Sequence, residues 1–116
     1  MKNELSNRLL KFAVDIIVYL RTIKNFEEAK IIKYQLIKSA SSGGANYEEA
    51  QGAPSKTDFS NKVRIALKEM RESNYWLKVI KDAKIDNQPI LEELINESEE
   101  LKRILGKIAS KTRKGN

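Results

Sequence analysis

The side chains best placed to do chemistry are three groups of carboxylates: the adjacent pairs Glu48-Glu49 and Glu92-Glu93, and Glu69 with Glu72 three residues later. Acids three apart share one face of a helix, as a metal site or an acid–base pair would require. Neither chemistry has its usual companion, because the sequence contains no His and no Cys. A di-iron bundle places Glu-x-x-His on two of its helices, and bundle RNases built on an Arg-x4-6-His motif need the same missing residue. The common ligands of zinc, haem and iron–sulfur clusters are absent as well, together with the thiol nucleophile and the neutral-pH imidazole base. A phosphate-binding loop of the form G-x-x-x-x-G-K does not occur. On a surface so rich in lysine, carboxylates are ordinarily solvated or ion-paired. The expectation is therefore no catalytic residue, no metal and no cofactor.

Positive charge is the other chemical resource. The chain has 116 residues with 22 Lys and Arg against 16 Asp and Glu, a formal charge of +6. Residues 85–100 carry six acids and no bases, whereas residues 101–116 carry six bases and no acids. A helix dipole favours that order, but Lys102, Arg103, Lys107, Lys111, Arg113 and Lys114 also form a compact polybasic end able to neutralise several phosphates. A solvated tail fits the pattern equally. Residues 52–84 hold eight bases and four acids, and Arg64, Lys68 and Arg71 make this a second candidate nucleic-acid surface.

These residues are positioned by a pattern that is helical throughout. Leu5, Leu9, Phe12, Ile16, Tyr19 and Ile23 step by four and three, with Leu10, Ala13, Ile17 and Leu20 widening the stripe. Asn25 followed by Glu28 has the form of a capping box and opens a second helix, whose core line runs from Ala29 through Leu36 and Tyr47 to Ala50. Gly52-Ala53-Pro54 ends it. Ser55 with Asp58 caps a third helix, in which Phe59, Val63, Ala66, Met70, Ser73, Leu77 and Ile80 keep the heptad step. A turn at Asp86 to Gln88, then Pro89, opens the fourth. The expected helices are 4–23, 26–51, 56–84 and 88–111, with a basic tail at 111–116. Short connections make antiparallel neighbours the simplest arrangement, so the expected fold is all-α: a single-domain, up-down-up-down, left-handed four-helix bundle over 1–116. The longest apolar run, Phe12 to Leu20, is interrupted by Asp15 and too short to span a bilayer. With no signal-peptide pattern at the N-terminus, a soluble cytoplasmic protein is expected.

Two features stand outside the repeat. Ser39 to Asn46 places Gly43 and Gly44 inside a helix, where each costs about 1 kcal/mol relative to Ala. Either small side chains let this helix lie close to a neighbour, or the helix breaks to form a hinge or cradle. Trp76 lies off the strict core line of the third helix, on a face with Ile65, Val79 and Ala83. That strip fits core first, a subunit interface second and base stacking third.

The stretch Ser41-Ser42-Gly43-Gly44-Ala45-Asn46-Tyr47-Glu48-Glu49-Ala50, followed by Ser55, Asp58-Phe59, Lys62, Ile65 to Glu69, Glu72 and Trp76-Leu77, resembles the four-helix-bundle proteins encoded within intervening sequences of bacterial 23S ribosomal RNA. The first and last helices match in length and pattern only. The resemblance implies a left-handed antiparallel bundle assembled as a homopentameric ring, with the second helix continuous through its glycines. Ser42, Gly43, Gly44, Ala45, Asn46, Glu49, Asp58, Phe59 and Trp76 would then be packing residues of the family motif. The family is also similar to the accessory variability protein of diversity-generating retroelements, a basic pentamer that associates with a reverse transcriptase and nucleic acid. Gly43-Gly44 departs from relatives, which commonly have Ile or Val here before a Gly or Pro.

The leading expectation is a non-enzymatic, oligomeric accessory protein that binds RNA or DNA by phosphate neutralisation. The alternative is an interaction scaffold for a protein such as a reverse transcriptase or ribosomal factor, docking on the second strip of the third helix or on acidic Glu92 to Glu100.

Overall fold

The four-and-three spacing becomes four buried seams. The computed structural model describes residues 4–114, with side chains through Thr112, and forms α1 (Glu4–Leu20), α2 (Glu27–Gln51), α3 (Lys56–Asp82) and α4 (Pro89–Lys114), with no strand among the described residues. Leu9, Phe12 and Ile16 of α1 meet Leu36 of α2, Val63, Met70 and Leu77 of α3, and Leu91, Leu101 and Leu105 of α4 in one core, each at most 2% exposed. This is a four-helix bundle 46 Å long and 23 by 20 Å across. A 27-residue helix spans about 40 Å, so each of the longer helices runs nearly the whole length.

Contacts between neighbours run in opposite order along the chain. Glu49 meets Lys62 and Ser39 meets Ser73 across α2 and α3; Ser60 meets Thr112 and Asn74 meets Ser98 across α3 and α4. Arg8 reaches Glu97, and Tyr19 reaches Asp86, closing α1 onto the α4 side. The core contains polar side chains at one level: Ser39, Ser73, Asn74 and Ser98 are all below 5% exposed. The Ser39 and Ser73 hydroxyls lie 2.8 Å apart, and Asn74 Nδ2 donates to Ser98 Oγ at 2.8 Å, so these buried groups are satisfied.

Several helix ends differ from the sequence expectation. α1 stops at Leu20 rather than residue 23, because the Thr22 hydroxyl and amide both bond to the Tyr19 carbonyl and the chain leaves the helix through a tight turn. The Asn25 capping box does not form. Phe26 occupies the cap position with an extended backbone and no side-chain hydrogen bond, while Asn25 Oδ1 accepts from Lys33 Nζ. The Ser55 cap does form, its hydroxyl accepting from the Asp58 amide at 3.1 Å. α3 ends at Asp82, two residues early, with Lys84 in the left-handed region (φ 59°) and the Ile85 amide bonded to the Ile80 carbonyl, a Schellman-type stop. α4 continues through Lys114 beyond the expected end at 111; residues 115–116 of the tail lie outside the described residues.

Gly43 and Gly44 are helical, and close packing replaces the hinge alternative. Gly43 faces α3 and Gly44 faces α1. A Cβ on Gly43 would meet Glu69 Cβ at 3.6 Å, and one on Gly44 would meet the Leu9 carbonyl oxygen at 3.5 Å. These are ordinary van der Waals distances, so a methyl group fits. Gly43→Ala and Gly44→Ala are each expected to stabilise the chain by about 0.5–1 kcal/mol through reduced unfolded-state entropy, read as a higher urea midpoint with an unchanged slope.

Candidate nucleic-acid interface

The α3/α4 pairing brings the two basic segments together. Between the Ser60–Thr112 and Asn74–Ser98 contacts, Arg64, Lys68 and Arg71 on α3 run alongside the part of α4 that carries Arg103, Lys107 and Lys111. All six are exposed, and none forms an ion pair among the described residues. Arg64 donates only to the neutral Asn61 side chain, at 2.8 Å. Several cations elsewhere on the bundle are engaged: Lys62 with Glu49, Lys78 with Glu99, Lys81 with Glu92, and Arg8 with both Glu97 and Glu100. Arg21, Lys24, Lys30, Lys38, Lys56 and Lys84 are exposed without an ion pair among the described residues, but they are scattered along the connections, α2 and the start of α3. Unpaired cations gathered along one stretch of the α3/α4 pair are a charge distribution that attracts a polyanion.

Lys102 departs from the sequence expectation. It is half-buried and lies 3.2 Å from Glu99, which also holds Lys78 at 2.8 Å. A carboxylate shared by two lysines drops to a pKa of about 2, so a phosphate would have to displace a formed ion pair to use Lys102. Arg113 and Lys114 belong to the last turn of α4, and their side chains lie outside the described ones.

No three of the described acidic side chains gather to hold a metal ion. Glu69 faces Gly43, and Glu72 accepts from Trp76 Nε1 at 3.3 Å, so this pair supports packing. Trp76 and Val79 are half-buried against the core, whereas Ile65 and Ala83 of the same strip are exposed. No described helix is long and apolar enough to cross a membrane.

The sequence profile of the 23S rRNA-intervening sequence proteins matches residues 1–107. The chain belongs to this family. Among solved structures it is similar to a protein of unknown function of the S23 ribosomal protein family from Bacteroides thetaiotaomicron, with a TM-score of 0.83 at 35% identity, covering 95% of this chain and 99% of that one. No curated protein matches.

In this intervening sequence protein several of the motif residues make contacts within the bundle. Asn46 Nδ2 donates to the Ser42 carbonyl and hydroxyl one turn earlier, Glu49 pairs with Lys62 at 2.7 Å, Asp58 completes the α3 cap, and Phe59 packs against the core. Ala45 is exposed and lines a groove of about 650 Å³ between α1 and α2, with Leu10, Val14, Ile17, Ser41 and Gly44. The sequence pattern puts Leu10 in a widened core stripe; in the structure it is 64% exposed. Val18 on α1 and Ile31 and Tyr34 on α2 are exposed apolar residues of the same two helices. The missed signal is the step of four from Leu10 to Val14 to Val18, an apolar row parallel to the buried one.

The titratable network also sets the pH response of the family member. Burial acts to raise the Asp86 pKa, but hydrogen bonds from the Tyr19 hydroxyl and from Gln88 outweigh it, and the carboxyl sits below its ordinary value. Glu100 is lowered by Arg8, and Glu99 by Lys78 and Lys102. A carboxylate whose folded pKa is depressed adds stability that is fully present above its unfolded value and is lost as pH falls through the folded one. Without His, no side chain of ordinary pKa titrates between about pH 5.5 and 8. The melting temperature should therefore be flat across that window and fall below about pH 4, in thermal melts at fixed ionic strength.

Proposed function

We propose that this protein works by binding rather than by catalysis: copies of the chain associate through the apolar α1/α2 face and present the α3/α4 basic face to RNA or DNA in the cytoplasm. The observation that carries the reading is the set of six exposed, unpaired cations, Arg64, Lys68, Arg71, Arg103, Lys107 and Lys111, beside the same stretch of the α3/α4 seam. Lysines and arginines so placed bind phosphates by displacing counterions and read little sequence. Among the described residues, six of the eight exposed large hydrophobics, Leu10, Val14, Val18, Phe26, Ile31 and Tyr34, lie on α1, α2 or their connection, and none on α4. Apolar surface concentrated on α1 and α2 and a denser group of free cations along α3/α4 suit a ring with its basic faces directed to the ligand, the homopentamer expected from the family resemblance. Repetition of one basic face adds avidity when a single nucleic acid reaches several copies, and a polyanion offsets repulsion among like-charged subunits.

Fluorescence anisotropy of the purified protein with single-stranded RNA, structured RNA and duplex DNA, each at several salt concentrations, tests the binding. Tight binding that weakens steeply with salt supports it; no binding at low salt overturns it. Sedimentation of the wild type and of Leu10→Glu tests the assembly, with an oligomer expected for the first and a smaller species for the second. A wild-type monomer would leave the α1/α2 groove to a different partner, the setting in which a reverse transcriptase or ribosomal factor would dock. The acidic surface of α4 is a poor alternative for that role, since Glu92, Glu97, Glu99 and Glu100 are all ion-paired within the bundle.

A further inference from the structure

We propose that Tyr75 is a stacking platform for an unpaired nucleobase, and that the ligand of the α3/α4 face is therefore a single strand rather than a continuous duplex. The inference rests on the phosphate-binding reading of that face and adds the ligand class. Arg64, Lys68, Arg71 and Tyr75 step by four, three and four along α3, and all four are exposed. Tyr75 thus continues the cationic row by one turn, about 6 Å beyond Arg71, close to the reach from phosphate to base within one nucleotide.

Nothing within the fold explains an aromatic residue there. Tyr75 is 60% exposed, and its hydroxyl makes no hydrogen bond among the described residues. It is the only exposed aromatic on α3 or α4 among the described residues. Among the described residues its one ring contact is edge-on to Trp76, with centroids 5.1 Å apart and planes at 74°, which holds the ring while leaving aromatic surface in solvent. Trp76 is itself fixed by packing against the core and by its bond to Glu72. An aromatic side chain already held in place loses little conformational freedom on binding. Base stacking is sequence-tolerant because every base has a π-face, and bases in a continuous duplex are already stacked on their neighbours. A cationic row ending in an exposed ring is the combination used for single strands. The neighbouring Trp76, the aromatic that sequence spacing suggests, is half-buried and serves as the support.

The test compares wild type, Tyr75→Phe and Tyr75→Leu by anisotropy with a fluorescein-labelled single-stranded RNA and with the blunt duplex of the same sequence. Tyr75→Leu should weaken single-strand binding roughly 5- to 100-fold and duplex binding less than about twofold, while Tyr75→Phe keeps wild-type affinity for both. A 2-aminopurine base in the single strand should be quenched by the wild type and by the Phe variant but not by the Leu variant. Equal losses on strand and duplex, or a Leu variant that binds as the wild type does, would overturn the stacking assignment and leave the phosphate reading intact. A Tyr75→Leu protein that sediments as a smaller species would also overturn it, placing the ring in a subunit contact. If the wild type binds neither nucleic acid at low salt, the phosphate reading fails and this inference with it.

Discussion

Replacing Arg64, Lys68, Arg71, Arg103, Lys107 and Lys111 together by Gln should remove most of the affinity for single-stranded RNA, a loss of at least roughly 100-fold at low salt. The slope of log affinity against log salt should flatten as well, by up to about 0.7 for each phosphate of a single strand that the variant no longer neutralises. Gln has nearly the helix propensity of Lys and Arg, and none of the six is ion-paired among the described residues, so the bundle should survive with its melting temperature little changed. The matched control is Lys62→Gln with Lys78→Gln. Those cations are held by Glu49 and Glu99, and their removal should cost much less affinity. Wild-type binding by the six-site variant would move the nucleic-acid surface elsewhere on the molecule.

Phe12→Ala should destabilise the protein by about 3–5 kcal/mol. Phe12 is 2% exposed at the centre of α1, and the space left by its ring is walled by rigid helices that can relax only in part. Typical domains are stable by about 5–15 kcal/mol, so the variant loses a large share of its margin, and for a chain of this size the melting temperature should fall by roughly 10–25 °C. Leu10→Ala, two residues away, is the opposite case. Leu10 projects from the α1/α2 surface, and its truncation should change the stability of the isolated chain by less than about 0.5 kcal/mol. Its effect should appear instead in the concentration dependence of the melt. Equal losses for the two variants in urea denaturation would mean that α1 is not seated as the structure has it.

The contrast between Phe12 and Leu10 shows where sequence is informative. Spacing of four and three identifies a seam, and every interior seam position of α3 from Val63 to Ile80 is buried. It does not say how wide an arc of the helix is covered. That depends on how neighbouring helices sit, and so the row Leu10, Val14, Val18 is easily mistaken for an extension of the core. Local capping is legible where one partner is on offer, as at Ser55 and Asp58. It fails at Asn25, where Lys33 two turns into α2 competes for the same oxygen. For the candidate interface, clusters of bases are visible in the charge pattern, but pairing is not. Lys62 is neutralised by a carboxylate on another helix, a fact that only the alignment of α2 against α3 decides. Tyr75 follows Arg64, Lys68 and Arg71 at helical spacing, but spacing alone does not say whether that row is exposed, and an exposed aromatic breaks no local rule.

The buried polar level has a further consequence. Heptad seams are nearly indifferent to translation: shifting one helix past another by seven residues sets leucine against leucine again. The hydroxyls of Ser39, Ser73 and Ser98 would tolerate such a shift, since each also bonds to a carbonyl of its own helix. Asn74 would not. Among the described residues its amide donates only to Ser98, and a seven-residue slip of α4 would place Leu91 or Leu105 opposite it, leaving a buried donor unmet at a cost of about 1–3 kcal/mol. One asparagine thus serves as an index mark, selecting a single alignment from a set that the leucines alone would leave almost degenerate.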